Sequence, residues 1–562
     1  MLTLLRRIDA LIVSRTALPS WSVVMQLGGG VALVIALVGF VWDVGWHADL
    51  GRDKNLLTVP HLMILAGLTG IGASGVAAIA MATATRAQAG RRLWRLHVPY
   101  SAAALTAFGA GAVAGFPIDD LWHRTYGIDV TMWSPTHLLM IGGASLSPIA
   151  LALAAGEARW PHGAGFSRVR RYLLVGAVMI GLSTFQLEFD MGVPQWQALY
   201  QPVLIAAAAG IGLVAARAWL GRGGALYAVL VFLGMRAGVA LLVGPLLGHA
   251  LPRFPTYLGF AAGVEIAFLL ERRLRPWQLA LAAGVTAAVI GLPLEWAWSH
   301  LWGDEPWQPR LLPLMWVPVL ASAAGAVLGF GAGRAWRPAA AGLPRLVLPV
   351  ATVALVVALA IPLPRTSAAA TADLSAQPAG APLGFATDRS GIPTVRQDYW
   401  IEAQLHPADA ADNPDWFRIA AWQGGQVRDI DMVRTGPGQY RSSRPVPTGG
   451  TWKAILFLGQ GQLVSAAPVT MPRDTDYGQP GVAAPVGGET RAFVPASQLL
   501  TSESHSASPV VADVAYVAFL GIFAVWLVLL AICHRGVAEE GDPADDPALG
   551  TALPRTARRR LA

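Results

Sequence analysis

Apolar residues in this chain come in long unbroken runs, neither in the three-four spacing of a soluble amphipathic helix nor in the two-residue alternation of a half-buried strand. Runs long enough to cross a hydrocarbon layer of about 30 Å as helices fall at residues 22–46, 58–84, 98–117, 132–156, 170–189, 198–219, 224–248, 255–271, 277–300, 311–333, 344–362 and 510–533. The connections between them alternate in charge. Arg86, Arg91, Arg92 and Arg95 follow the second run, and Arg159, Arg168, Arg170 and Arg171 follow the fourth. Arg217 and Arg222, then Arg272, Arg273 and Arg275, then Arg334, Arg337 and Arg345 continue the pattern. Basic loops stay on the cytoplasmic side of a membrane. With Arg6, Arg7 and Arg15 before the first run and Arg558, Arg559 and Arg560 at the far end, both termini are expected in the cytoplasm. Residues 1–21 show no long apolar stretch followed by a small-residue cleavage site and read as a retained cytoplasmic segment. The expectation is a mainly α, polytopic helical membrane protein of about twelve transmembrane helices in a bacterial inner membrane. Eleven helices form a membrane domain over 22–362, the last covers 510–533, and a cytoplasmic tail covers 534–562.

The hydrophilic stretch between the last two runs then lies outside. Residues 363–395 are small, Pro-containing and unpatterned, which reads as a flexible linker. From 396 to 475 short β-prone runs such as QDYWIEAQL and TWKAILFLG alternate with Gly, Pro and Asp, the pattern of a small β-sandwich. A second linker is expected over 476–509. Gly436-Pro437-Gly438-Gln439-Tyr440 followed by Gly449-Gly450-Thr451-Trp452-Lys453 resembles the hairpin of the FixH/YtkA-like periplasmic domains, some of which accompany copper proteins. His406, Met432 and Met471 are the soft-ligand residues of this region, and their spacing forms no cluster.

Composition agrees with lipid as the main solvent: mean hydropathy is +0.49, and only 13% of residues are charged. The net charge of +7 resides in the short Arg clusters that topology explains, so nucleic acid is not an expected partner. Cys533 is the one cysteine, which excludes an intrachain disulfide or a cysteine-based metal cluster. No GxxxxGK[ST], GxSxG or CxxCH motif occurs.

The informative feature is a repeat. Asp43, Trp46, His47, Gly51, Asp53, His61 and Leu62 align without a gap on Asp119, Trp122, His123, Gly127, Asp129, His137 and Leu138, and Gly67 with Gly143 extends the match. A fainter copy at Glu295, Trp298, Ser299, Gly303 and Glu305 places Ser299 and Pro313 where the histidines would stand, and another outer turn keeps only Glu188 and Asp190. Asp and His four residues apart share one helix face. The second His, fourteen residues on, opens the next helix, and an antiparallel hairpin returns it to the same depth. Two imidazoles and one carboxylate suit copper, zinc or non-haem iron and leave coordination positions open. The metal ligands expected are Asp43, His47, His61, Asp119, His123 and His137. Asp53 and Asp129 are candidates to orient a ligating imidazole through its other nitrogen.

This Asp-x3-His…His arrangement over two consecutive helices resembles the copper-binding motif of the all-helical third subunit of the particulate methane and ammonia monooxygenases. The resemblance covers two short segments. The chain departs from that family in length, in its extra hairpins and in its outer β-domain. It implies copper at these six residues and a monooxygenase-like subunit, with other membrane subunits or copper proteins as partners; the same ligands would serve a copper-handling or oxidase-assembly factor. A secondary transporter is the third class, although its sites usually lie at the membrane midplane. Against all three stands a structural role, with Trp in the headgroup layer and Asp and His capping helix ends. Among the remaining histidines, His97, His162 and His534 are expected solvated on the cytoplasmic side, whereas His249 and His300 sit at outer helix ends. Glu265, inside the eighth run, needs a cationic partner, for which Arg236 is the candidate.

Overall fold

Helices occupy all twelve apolar runs. The structure, a computed structural model, describes residues 2–50, 56–126, 132–160, 165–192, 197–303, 306–337, 346–361, 370–388, 391–423, 426–460, 463–473, 480–496, 499 and 508–540. In chain order the helices are α1 (Leu2–Thr16), α2 (Ser20–Leu50), α3 (Val59–Thr85), α4 (Tyr100–Tyr126), α5 (Pro135–Glu157), α6 (Gly165–Ser183) and α7 (Leu187–Asp190). They continue as α8 (Tyr200–Leu220), α9 (Gly224–Leu241), α10 (Leu258–Ala267), α11 (Pro276–Trp302), α12 (Trp316–Ala335), α13 (Val347–Ala360) and α14 (Pro509–Glu540). Among the described residues, ten helical spans are long and apolar enough to cross a membrane, and the helices of the eighth and eleventh runs are shorter. In the eighth, Pro252 and Pro255 restrict the residues before them to extended backbone, and the helix begins only after Tyr257, at φ 57°.

Many apolar side chains stay on the outside of this bundle. Val31, Val289, Val517 and Val525 are each more than half exposed, an arrangement that water penalises and lipid does not. Between helices the packing is close and relies on small residues. Gly67 of α3 packs against α2, where an added Cβ would sit 2.6 Å from the Ala36 nitrogen, and its repeat partner Gly143 of α5 packs against α4, where an added Cβ would sit 2.6 Å from the Phe108 carbonyl. Helices α2 and α3 form one antiparallel hairpin and α4 and α5 the next; α3 packs on α4, and α2 on α5. The last helix, α14, covers α4 and α5, with Trp526 edge-on to Phe108 at 5.6 Å.

The region between α13 and α14 is a separate β-rich domain. After a short hairpin of β1 (Arg91–Leu93) and β2 (Leu96–Val98) in the helical part, its strands among the described residues are β3 (Thr371–Pro378), β4 (Gly384–Thr387), β5 (Pro393–His406), β6 (Trp416–Gln423), β7 (Gln426–Gly436), β8 (Gln439–Ser442), β9 (Val446–Thr448), β10 (Lys453–Gln460), β11 (Leu463–Thr470), β12 (Glu489–Ala492) and β13 (Val494–Pro495). It differs from the expected two-sheet sandwich: these eleven strands join in one barrel-like sheet whose main path runs β12-β3-β5-β8-β7-β6-β10-β11-β13. The reason is strand length. β5 (Pro393–His406) and β7 (Gln426–Gly436) are long enough to pair with both halves, β5 with β3, β4, β8 and β9, and β7 with β6 and β8. The expected linkers are also corrected in part. β3 (Thr371–Pro378) and β4 (Gly384–Thr387) lie within 363–395, and β12 (Glu489–Ala492) and β13 (Val494–Pro495) lie within 476–509. Their short apolar content was enough once β5 and β11 (Leu463–Thr470) supplied partners. Tyr440 and Trp452 of the Gly-x-Tyr…Gly-x-Trp hairpin both enter the core. The domain meets the helical bundle through Arg310, just before α12, whose guanidinium pairs with Asp415 and donates to the Asn413 carbonyl at 2.5 Å. β6 (Trp416–Gln423) and β7 lie against α2.

Candidate metal centres

Each repeat unit builds its site from the end of one helix and the start of the next. In the second unit Ser134 is the N-cap of α5, its backbone extended and its hydroxyl accepting from the His137 N–H, and Pro135 opens the helix. This is the capping chemistry that fixes where a helix starts. In the first unit Thr58 holds the same extended conformation, with Pro60 in the first turn, but its side chain accepts no capping bond. The backbone matches nevertheless: Leu62 N–H donates to the Thr58 carbonyl and Leu138 N–H to that of Ser134, both at 2.9 Å.

The side chains converge as the spacing requires. His61 Nε2 is 3.0 Å from Asp43 Oδ1, and His47 Nε2 is 3.9 Å from the same oxygen. In the second unit His123 Nε2 is 3.1 Å from Asp119 Oδ2 and His137 Nε2 is 3.4 Å from Asp119 Oδ1. Two donors each about 2.1 Å from a tetrahedral ion lie about 3.4 Å apart, so these separations fit a shared ion with small adjustments, the largest at His47. Among the described residues, only these two sets bring three His, Cys, Asp or Glu donors within 4.8 Å of one another. The imidazoles meet edge to face, 5.9 Å apart in the first centre and 5.8 Å in the second. His61 Nδ1 lies 3.1 Å from the Leu56 carbonyl, a contact that turns Nε2 toward the carboxylate and favours the tautomer a metal needs.

Sequence reasoning missed one participant. The Thr136 hydroxyl donates to Asp119 Oδ1 at 2.5 Å; the matching position of the first unit is Pro60, which has no donor. Thr136 could have been suspected from its place beside His137, but nothing in the sequence says which way it points. Asp53 and Asp129, the candidate orienting carboxylates, lie outside the described residues. The two centres are neighbours: the His61 ring meets Phe116 of α4 edge-on at 6.2 Å, and His137 is within electrostatic reach of Asp43. An apolar cavity of about 190 Å³ begins roughly one helical turn deeper, at Phe40, three residues before Asp43, and Ile141, four after His137, and extends along the helices to Gly30 and Arg170.

The repeated tryptophans pack against protein. Trp122 is buried against Tyr126, at 4.3 Å, and near Tyr516 of α14, at 6.4 Å, and Trp46 lies 5.5 Å from His249. His249 thus borders the first unit without joining its donor set, while exposed His300 stacks on Trp296. The acidic remnants have structural partners. Glu295 accepts from Thr256 and Tyr257, Glu188 from the Met132 N–H, and Asp190 pairs with Arg236. That last pair corrects the expected partner of Glu265, which is Arg217, at 2.9 Å. Ser299 hydrogen-bonds the Trp296 carbonyl, and Glu305 lies outside the described residues.

His534 is half-buried and hydrogen-bonded, not freely solvated: its Nε2 accepts from Trp336 and its Nδ1 faces the Leu530 carbonyl. His97 is half-buried with Nδ1 2.8 Å from the Ala87 carbonyl, and His162 lies outside the described residues. In the β-domain, His406 pairs with Asp373 at 2.8 Å, and Met432 is in the core; these residues form no donor group with Met471.

No family model, curated protein or solved structure matches this chain, so the site is defined by its own residues.

Proposed function

We propose that this chain is a multi-pass membrane protein that binds transition-metal ions, copper in first place, at two adjacent Asp/His/His centres on the outer membrane face. The observation that carries the reading is the duplication: two units of the same sequence spacing each bring a carboxylate and two imidazole Nε2 atoms within 4.8 Å. Ion pairs alone would explain one such group; they give no reason for keeping two imidazoles on each carboxylate twice over. Zinc and non-haem iron suit the same donors, and copper is favoured by the resemblance to the monooxygenase subunit motif. The ten membrane-length helices and the alternating Arg clusters support an inner-membrane location with both termini in the cytoplasm. The β-domain then stands outside, beside the metal centres, where it would contact a copper protein or another membrane subunit. The apolar cavity that begins one turn deeper offers room for a small apolar substrate, which supports oxidation chemistry as well as metal delivery.

The test is metal analysis of the full chain purified in detergent, alongside a His47→Ala/His123→Ala double variant. The proposal expects bound metal in the native chain and its loss from the variant. Equal metal content in the two proteins rejects the centres. Electron paramagnetic resonance on the copper-loaded chain then reports whether nitrogen ligands hold the ion.

A further inference from the structure

Five arginines surround one cavity at the end of the bundle opposite the metal centres. Arg217 in the last turn of α8, Arg222, Arg272, Arg334 in the last turn of α12 and Arg337 border a space of about 650 Å³. Among the described residues, two carboxylates stand near. Glu265 is already engaged, accepting from Arg217 and from the N–H groups of Gly223 and Ala225, and Glu271 is the other. Three of the five guanidinium groups are held in place. Arg217 lies over the Phe268 ring at 4.4 Å and Arg334 over Phe330 at 5.4 Å, while Arg337 donates to the Trp219 carbonyl at 2.8 Å. Burial depresses the Arg337 guanidinium below its usual value; Glu271 opposes this, and the like charges of Arg217 and Arg334 add to it. A crowded set of five guanidinium groups, three of them fixed, that outnumbers the carboxylates described around it is a receptor for an anion, and their planar forks match phosphate oxygens in pairs.

The rim supplies the second half of the argument. Leu269, in the cavity wall, is 73% exposed, and Leu270 beside it is 41% exposed. A free phosphate gains nothing from such a rim; an acyl chain does. Basic pockets between helices at the cytoplasmic face suit acidic headgroups. We propose that this cavity binds the phosphate headgroup of an acidic phospholipid, its chains lying along Leu269 and Leu270. The inference shares the membrane placement given above but is independent of the metal centres.

The experiment uses the full chain in phosphatidylcholine nanodiscs titrated with phosphatidylglycerol, read by melting temperature and by lipids retained in native mass spectrometry. The pocket variant is Arg222→Gln/Arg272→Gln, both exposed positions; the control is Arg91→Gln/Arg92→Gln, exposed on the β1–β2 hairpin (Arg91–Leu93 and Leu96–Val98). The native chain and the control should saturate together, and the pocket variant should need about tenfold more phosphatidylglycerol or beyond. Its metal content should stay that of the native chain, which separates this proposal from the metal reading. Identical titration of pocket variant and control overturns the site. So does a full stabilisation by inorganic phosphate in nanodiscs lacking phosphatidylglycerol, which would make the ligand a soluble anion.

Discussion

The hydroxyl of Thr136 donates to Asp119 at 2.5 Å, and this one bond makes the two centres chemically unequal. It fixes the carboxylate rotamer in the second unit, where Pro60 leaves the first without a counterpart. Thr136→Val should therefore weaken metal binding at the second centre by about tenfold to a hundredfold and leave the first unchanged. Metal titration of the variant on a His47→Ala background isolates the second centre. An affinity equal to that of the Thr136 parent would show that the hydroxyl plays no part.

Metal bound to the folded chain alone must stabilise it. At a free concentration a hundred times the dissociation constant the gain is about 2.7 kcal/mol. Treating the native chain with a chelator should lower its melting temperature, and the His47→Ala/His123→Ala variant should melt at the same temperature with or without chelator. A chelator-dependent shift of equal size in the variant would place the stabilising ion elsewhere.

Gly67 and Gly143 hold the helices of their hairpins close enough for the second histidine to reach the first helix. A side chain at Gly143 would meet the Phe108 carbonyl at 2.6 Å and Ala112 at 2.9 Å. Gly143→Val should cost about 1–3 kcal/mol in stability through overpacking and should also reduce metal content at the second centre. Retention of both native stability and native metal content would mean the hairpin spacing does not set the site.

The β-domain carries its own acid-sensitive contact. The Thr490 hydroxyl, at 2.5 Å, and then His406 hold the Asp373 carboxyl below its usual value of 3.8. A carboxyl with a lowered folded value contributes stability that is complete above the unfolded value and disappears as pH falls through the folded one. Hydrogen-exchange protection of β3 and β12 should accordingly drop below about pH 4, and Asp373→Asn should lack that step. The same acid dependence in both proteins would assign it to another group.

The sequence by itself determined the helices, because their runs of apolar residues are local and long, and it determined the carboxylate–imidazole pairs, because the i, i+4 spacing of Asp43 with His47 and of Asp119 with His123 is a property of one helix. The return of His61 and His137 to the same depth followed from hairpin geometry alone. What joins segments far apart in the chain was decided only by tertiary packing. Glu265 is paired with Arg217 and not Arg236 because α8 and α10 lie side by side at that depth. His534 is half-buried because α14 brings it to Trp336, and the β-domain is one sheet because β5 and β7 each reach partners that local sequence does not name. Hydrogen bonds and ion pairs act over a few ångströms, so their partners are set by which elements touch, and periodicity carries no record of that.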